Sequence, residues 1–166
     1  MSDNEPGSAR AEEISGSITT VHRYELPLPR EEAWSLISDV SNYRHWWPWL
    51  RAFDAAALAP GEEWRCEVQP PVPYLVRFRV VIEDVETAVL VQAKVVGDVV
   101  GAATLRFEDT SSGCTATLDS TLAPGNTALR MVSRFAGPIA RFGHDWVLDS
   151  GARQFITRAV EPLVGD

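Results

Sequence analysis

The sequence predicts an α+β domain in which helices cover one face of an antiparallel sheet. Along much of residues 50–122, apolar and polar residues alternate, which indicates strands with one covered face and one wet face. After Pro124 the apolar spacing becomes helical, and no proline interrupts the chain from Ile139 to Val160. A strand, two short helices, a run of strands and a long helix, in that order, form an α+β layout.

The first three elements are predicted from alternation and from helix signals. Residues 17–26 alternate and predict the first strand, which Pro27 ends. The next segment has apolar residues at helical spacing and predicts two short helices. Asp39 or Ser41 can cap the second of these helices, and Pro48 ends it.

The alternation also assigns the two faces of the sheet. The inward face is predicted to carry large and small residues together: Trp64, Phe78, Leu105 and Phe107 beside Gly101, Ala103, Cys114, Ala116 and Ser120. The outward face is predicted to be charged and solvated, with Glu67, Arg77, Arg79 and Asp119. A shift of one residue in the strand register would exchange the two faces.

Composition and charge narrow the classes of partner. The chain has 166 residues, a length that suits one domain with a hydrophobic core, and a net charge of -8. It has one lysine, Lys94, and scattered arginines, so nucleic acid and anionic membrane surfaces are not expected partners. Residues 1–16 are polar and acidic and predict a disordered tail before a domain at 17–163.

The sequence lacks the signals of export, membrane insertion and metal binding. No signal peptide and no apolar run of about 20 residues is present, so we expect a cytoplasmic protein without integral membrane association. Cys66 and Cys114 have no second ligand at metal spacing, and His22, His45 and His144 are scattered. We therefore expect no metal and no cofactor.

The long C-terminal helix predicts a hollow beneath it. Its core-facing stripe is apolar in the second half, with Leu148, Ala152, Phe155, Ala159 and Leu163. In the first half the same side carries Arg141, His144 and Asp145, which are costly to bury unpaired. Small residues on the sheet below either let the helix approach closely or leave room, two alternatives of about equal weight. The polar half of the stripe favours a hollow.

Three segments resemble the START-like, or SRPBCC, proteins, which include the polyketide cyclase/dehydrase and lipid-transport group. They are WSLISDVSNYRHWWPWL (34–50), with Ser38, Tyr43, Trp46 and Trp47 in an SxxxxYxxW pattern, the paired late strands at 97–122, and RFGHDWVLDSG (141–151). The resemblance implies a helix-grip fold, in which a curved antiparallel sheet wraps around a long C-terminal helix and encloses an internal cavity. Members bind lipids, sterols, polyketides or plant hormones, and some catalyse cyclisation or dehydration.

The candidate site residues each have a structural alternative. His144 is a candidate acid/base or ligand hydrogen-bond donor, and otherwise a satisfied core histidine. Arg141 and Asp145 either orient His144 and grip a polar ligand group or form an ordinary helix pair. Trp46, Trp47 and Trp49 either stack on a ligand at the cavity rim or staple the short helices to the sheet edge. The full predicted ligand-binding set is Arg141, His144, Asp145, Trp46, Trp47, Trp64, Phe78, Phe107 and Leu148.

Three functions are compatible with these features. The first is the binding of a hydrophobic or aromatic small molecule, lipid or polyketide-like, in the internal cavity. The second is a polyketide aromatase/cyclase or dehydratase, in which His144 is the acid/base. The third is a non-catalytic protein-interaction module that uses the side of the helix carrying Trp146. That side either packs on the preceding helix at 126–136 or forms a homodimer contact.

Overall fold

The computed structural model describes residues 17–71, 74–135 and 137–165, and it leaves the side chains of 132–144 outside its description. The strands are β1 (Ile18–Leu26), β2 (Leu50–Asp54), β3 (Glu63–Val68), β4 (Val76–Glu86), β5 (Leu90–Gly97), β6 (Val99–Thr110) and β7 (Gly113–Pro124). The helices are α1 (Arg30–Ser38), α2 (Tyr43–Trp46), α3 (Thr127–Phe135), α4 (Gly137–Phe155) and α5 (Glu161–Val164). A 3₁₀ turn at Val40–Asn42 precedes α2, and a π-helical turn at Ile156–Val160 follows α4. The tail predicted at residues 1–16 lies outside the described residues.

The seven strands of the described residues form one antiparallel sheet in the order β1-β7-β6-β5-β4-β3-β2. The predicted order of elements along the chain is confirmed: a strand, short helices, a run of strands, and helices after Pro124. The side chain of Asp39 accepts a hydrogen bond from the backbone N–H of Ser41, as the prediction of a cap there requires. The α+β class and the helix-grip arrangement are therefore confirmed.

The register confirms the predicted faces of the sheet. Trp64 pairs with Val80 and Cys66 pairs with Phe78, so these apolar side chains share the face that packs into the hydrophobic core. The opposite face carries ion pairs with nitrogen–oxygen distances of 2.7–3.0 Å: Arg77–Glu67, Arg79–Glu63, Lys94–Glu83 and Arg106–Asp119. Each of these pairs is largely solvated and contributes little to stability.

A glycine allows β6 and β7 to approach each other closely. Gly101 in β6 has φ of 153°, a conformation that side chains rarely adopt. A Cβ atom added to Gly101 would lie 1.9 Å from the carbonyl oxygen of Thr121 on β7. The two strands can approach this closely only because Gly101 has no side chain.

The C-terminal helix follows the predicted apolar stripe only in part. Phe155 and Ala159 are buried as predicted. Leu163 is 58% exposed, so its predicted place on the stripe is wrong. The reason is that α5 lies outside the core, since every residue from Glu161 to Val164 is exposed.

Candidate ligand-binding site

A pocket of about 250 Å³ lies between the inner face of the sheet and the second half of α4. We call it the inner pocket. Strands β1, β6 and β7 form its floor, the segment around α1 and α2 forms one wall, and α4 forms the roof. Its lining residues are Tyr24, Leu26, Ile37, Trp47, Trp49, Leu105, Phe107, Ala116, Leu118, Val147, Leu148, Gly151, Ala152, Phe155 and Ile156.

The inner pocket exists because small residues occupy positions on both the sheet and the helix that line it. Ala116 on β7 and Ala152 on α4 both line the inner pocket, and Ala116 pairs with Phe107 on the neighbouring strand. A larger side chain at either alanine would project into the same volume. The sequence left two alternatives for small residues beneath the helix, close approach of the helix or space under it. At Ala116 and Ala152 the structure shows space.

Two tryptophans hold the wall of the pocket against α4. The indole N–H of Trp47 donates to the carbonyl oxygen of Gly151 at 2.8 Å. The indole N–H of Trp49 donates to Oε1 of Gln154 at 2.9 Å. Gly151 carries no side chain, and an added Cβ would lie 3.4 Å from the Trp49 ring. Trp47 and Trp49 are therefore bound to the C-terminal helix, whereas the two interpretations from the sequence were stacking on a ligand and stapling to the sheet edge.

Behind that wall lies an aromatic cluster centred on Tyr43. The ring of Tyr43 lies 4.8 Å from Trp47, 5.2 Å from Phe53, 5.7 Å from Trp64 and 5.9 Å from Trp46, between centroids. Such edge and offset contacts stabilise beyond the area they bury. The cluster fixes α2 on the sheet and so positions Trp47 at the inner pocket.

A polar group lies at the β1 side of the inner pocket. Tyr24 lines the pocket, and its hydroxyl is buried and makes no hydrogen bond with any described residue. Leaving a buried hydroxyl unpaired costs about 1–3 kcal/mol. Burial raises the pKa of Tyr24 to about 12, and the Asp149 carboxylate adds to the effect. The phenol therefore stays protonated and can donate a hydrogen bond.

His22 and Asp149 lie beside this tyrosine. The rings of His22 and Tyr24 are stacked, with centroids 6.2 Å apart. Nδ1 of His22 lies 3.8 Å from Oδ1 of Asp149 on α4, which is within ion-pair range when the imidazole is protonated and too long for a hydrogen bond. His22 is largely buried, and Asp149 is exposed.

The sequence prediction of the site missed Tyr24, His22 and Asp149. The alternation of β1 does place His22 and Tyr24 on one face, which was the available signal. Tyr24 pairs with Ala116 on β7, and this register brings it to the pocket. Nothing local in the sequence specifies that pairing.

The predicted ligand-binding residues fall into four groups, of which the first two are aromatic or aliphatic. Trp47, Phe107 and Leu148 line the inner pocket. Trp46 and Trp64 are buried in the aromatic core, where Trp46 lies 5.3 Å from Phe155, and neither is among the residues lining the described pockets. For all of them, contact with a ligand stays a prediction.

The structure does not test the predicted polar residues of α4. The side chains of Arg141 and His144 lie outside the described residues. Asp145 and Trp146 are partly buried. The predicted roles of Arg141, His144 and Asp145, and the predicted contact through Trp146, remain predictions.

Phe78 belongs to a second depression of about 490 Å³, which lies along β2, β3 and β4 and is open to solvent. Its charged lining residues are Arg44, Asp54, Arg65, Glu67, Arg77 and Arg79. Arg77 is bound to Glu67 at 2.8 Å and Arg79 to Glu63 at 3.0 Å, so these two guanidinium groups already have carboxylate partners.

Two further properties concern the described part of the chain. No three His, Cys, Asp or Glu side chains there come together to hold a metal ion. Within the same ranges, no helix combines the length and apolar character that crossing a bilayer requires.

A curved antiparallel sheet that grips a long C-terminal helix, with an apolar pocket between them, defines the START-like class of helix-grip proteins. The chain belongs to the polyketide cyclase / dehydrase and lipid transport family, whose model matches residues 17–160. No curated protein matches the chain in sequence.

Solved structures share the fold. The Zhui aromatase/cyclase from Streptomyces sp. R1128 is similar with a TM-score of 0.64 and 12% identity, over 86% of this chain and 97% of that one. Protein Ms6760 from Mycobacterium smegmatis is similar with a TM-score of 0.61 and 18% identity, over 82% of this chain and 87% of that one. The di-domain aromatase/cyclase StfQ of the steffimycin pathway has a TM-score of 0.65 and 10% identity, over 90% of this chain and 52% of its own. At such identities the likeness establishes the fold alone.

Proposed function

We propose that this protein binds a hydrophobic small molecule, lipid or polyketide-like, in the inner pocket. The observation that carries the proposal is the lining of that pocket, which consists of aliphatic and aromatic side chains from both layers of the fold. Family membership supports a hydrophobic-ligand or polyketide-related role.

Water is a poor occupant of this space. The volume of 250 Å³ equals the liquid share of roughly eight water molecules. Both indole N–H groups at the wall already have acceptors, Gly151 and Gln154. A ligand that covers the apolar lining gains about 25 cal/mol for each Å² removed from water.

The size favours a compact ligand. Pockets for drug-sized molecules typically measure about 300–1,000 Å³, and the inner pocket is smaller at 250 Å³. A fused bicyclic aromatic compound or a short acyl chain fits this volume better than a sterol does.

Filling the pocket from one wall tests the proposal. Ala152→Phe places a ring inside the inner pocket, so we expect affinity for a naphthalene probe to fall at least about tenfold, a loss of about 1.4 kcal/mol. Trp47 and Trp49 line the pocket, so quenching of tryptophan fluorescence reports binding. Native mass spectrometry of the purified protein, followed by organic extraction, identifies any ligand already bound.

The matched control is Ala102→Phe, the same substitution at an exposed position on β6. It should bind the probe like the wild type. Equal affinity in all three proteins, or a wild type that binds no naphthalenes, fatty acids or sterols, would contradict the proposal.

A second candidate function is a polyketide aromatase/cyclase or dehydratase activity. The family description and the aromatase/cyclases among the structural neighbours favour it. In this proposal His144 is the acid/base, Arg141 holds a carbonyl or carboxylate, and Asp145 orients His144.

The enzyme proposal predicts separate effects on turnover and affinity. His144→Ala should abolish conversion of a poly-β-ketone thioester and leave its binding within about twofold, because general acid/base catalysis contributes about 10²–10⁴-fold to rate. His45→Ala on α2, where the side chain is exposed, is the control and should keep full turnover. Unchanged turnover in His144→Ala would exclude this role for His144.

A further inference from the structure

The C-terminal helix is held unequally on the two sides of the inner pocket. On the side of α2, the indole N–H groups of Trp47 and Trp49 donate hydrogen bonds to α4. In the opposite direction, a guanidinium nitrogen of Arg158, in the π-helical turn, donates to the carbonyl oxygen of Trp46 at 2.7 Å. Three hydrogen bonds therefore fix this side of the helix to the wall of the pocket.

On the side of β1, the ion-pair contact that the described side chains show with α4 is that of His22 with Asp149. Its nitrogen–oxygen distance of 3.8 Å is too long for a hydrogen bond. Asp149 is exposed, so the contact contributes little to stability. The second half of α4 is therefore bound firmly at α2 and weakly at β1.

The inner pocket lies directly behind this weak contact. Leu148, the residue before Asp149, lines the pocket, and so does Tyr24, two positions from His22 on the same face of β1. On both elements, residues of the contact are thus immediate neighbours of residues that line the pocket. A separation of α4 from β1 at this point would connect the pocket to solvent.

We propose that the hydrophobic ligand enters and leaves the inner pocket between β1 and α4, a passage that we call the gate. The contact of His22 with Asp149 is the closing contact of the gate. This inference rests on the proposed binding function and adds the route of the ligand to it.

A polar closing contact suits a gate that opens often. When His22 and Asp149 separate, both side chains regain water, so opening costs little. An apolar closure would expose hydrophobic area to water each time it opened. The side of α2 is such a closure, because the rings of Trp47 and Trp49 stack there and both N–H groups would lose their acceptors.

A reversible cross-link across the gate tests the inference on the full-length protein. His22→Cys/Asp149→Cys, oxidised to a disulfide that mass spectrometry verifies, should bind methylnaphthalene at least about tenfold more slowly, because the required opening is blocked. Stopped-flow tryptophan fluorescence measures the rate, and reduction of the disulfide should restore it. Thr19→Cys/Thr121→Cys is the control, since it joins β1 to β7 where the two hydroxyls lie 3.0 Å apart, and oxidation should not change its rate.

Asp149→Ala tests the closing contact without a cross-link. A gate controls the path and not the bound state, so the association and dissociation rates should both rise about twofold to fivefold, the range that one exposed ion pair supplies. The Kd should therefore stay unchanged, whereas a residue that shapes the bound state would change it. Glu161→Ala removes an exposed carboxylate from α5 and should keep both wild-type rates.

The outcomes separate the two proposals. If the oxidised His22→Cys/Asp149→Cys protein binds and releases methylnaphthalene as fast as the reduced protein, the gate is overturned and the binding function stands. Unchanged rates in Asp149→Ala overturn the closing contact, whether or not the disulfide forms. If the wild type does not bind methylnaphthalene, the gate and the binding function are both overturned.

Discussion

Cys66 shows how burial of one side chain links stability to pH. It lies on the inner face of β3, and burial raises the pKa of its thiol from 9.0 to about 12. The unfolded chain ionises this thiol near its ordinary pKa, whereas the folded chain does not. The stabilising contribution is therefore complete below pH 9 and is lost as the pH rises from about 9 towards 12.

We expect the free energy of unfolding to fall between pH 8 and pH 10, and the fall to be smaller in Cys66→Ala. A single group contributes at most about 1.4 kcal/mol per pH unit. Urea unfolding at intermediate pH values measures the slope. Val68→Ala, in the same strand and without a titrating group, should keep the wild-type slope; a wild-type slope in Cys66→Ala would show that its thiol ionises equally in both states.

Tyr43 is a second buried side chain whose contacts connect neighbouring elements. Its hydroxyl donates to the carbonyl oxygen of Ile37 at the end of α1, while its ring contacts the tryptophans of the cluster. Burial raises the pKa of this tyrosine even further from its ordinary value than that of Tyr24. The difference between the two hydroxyls is the hydrogen-bond partner: among the described residues, Tyr43 has one and Tyr24 does not.

At the scale of elements, the important contact is between the segment after α2 and the C-terminal helix. Trp47 and Trp49 each donate one hydrogen bond to the last turns of α4. The π-helical turn begins immediately after these contacts, at Ile156. Turns of this kind interrupt regular helix geometry and frequently occur at functional sites.

Trp47→Phe should loosen this contact. The loss of the bond to Gly151 should lower the free energy of unfolding by about 0.5–1.5 kcal/mol. Amide hydrogen exchange should quicken in residues 147–160 more than in β6 and β7, because only the helix loses a partner.

Trp64→Phe is the matched control, since it removes an indole hydrogen bond of equal length, 2.8 Å, to the carbonyl oxygen of Ala57 in the loop between β2 and β3. Its exchange rates in residues 147–160 should remain those of the wild type. If Trp47→Phe leaves these rates unchanged, the bond does not hold α4 in place.

At the scale of the whole molecule, the local patterns predicted the layers and only part of the lining of the inner pocket. Period-two alternation and helical spacing are properties of neighbouring residues, so the strands, the helices and the charged outer face followed from them. The pocket depends on the pairing of β1 with β7 and on the rotation of α4, which are set by contacts distant in sequence. Phe107 and Leu148 were predicted at the pocket because alternation and helical spacing place them on the inward faces. Tyr24 was not predicted there, because only the pairing of β1 with β7 brings it to the pocket.

Two further cases illustrate the same limit. Trp46 and Trp64 were predicted to contact a ligand, and the structure places both in the aromatic core, where Tyr43 packs against their rings. Ligand contact through them stays a prediction. Leu163 follows the helical spacing of the sequence, but it lies in α5, which has no buried residue. Helical spacing does not show where the helix extends beyond the core.

The pairing of the first strand with the last has a consequence for synthesis on the ribosome. Thr20 and Ser120, whose side chains are hydrogen-bonded, are separated by 100 residues. At translation rates of about 5–20 residues per second, β1 waits roughly 5–20 s for its partner. Its outward residues during that interval include Arg23 and Glu25, and Pro27 follows directly, all features that discourage an unpaired strand from aggregating with other nascent chains.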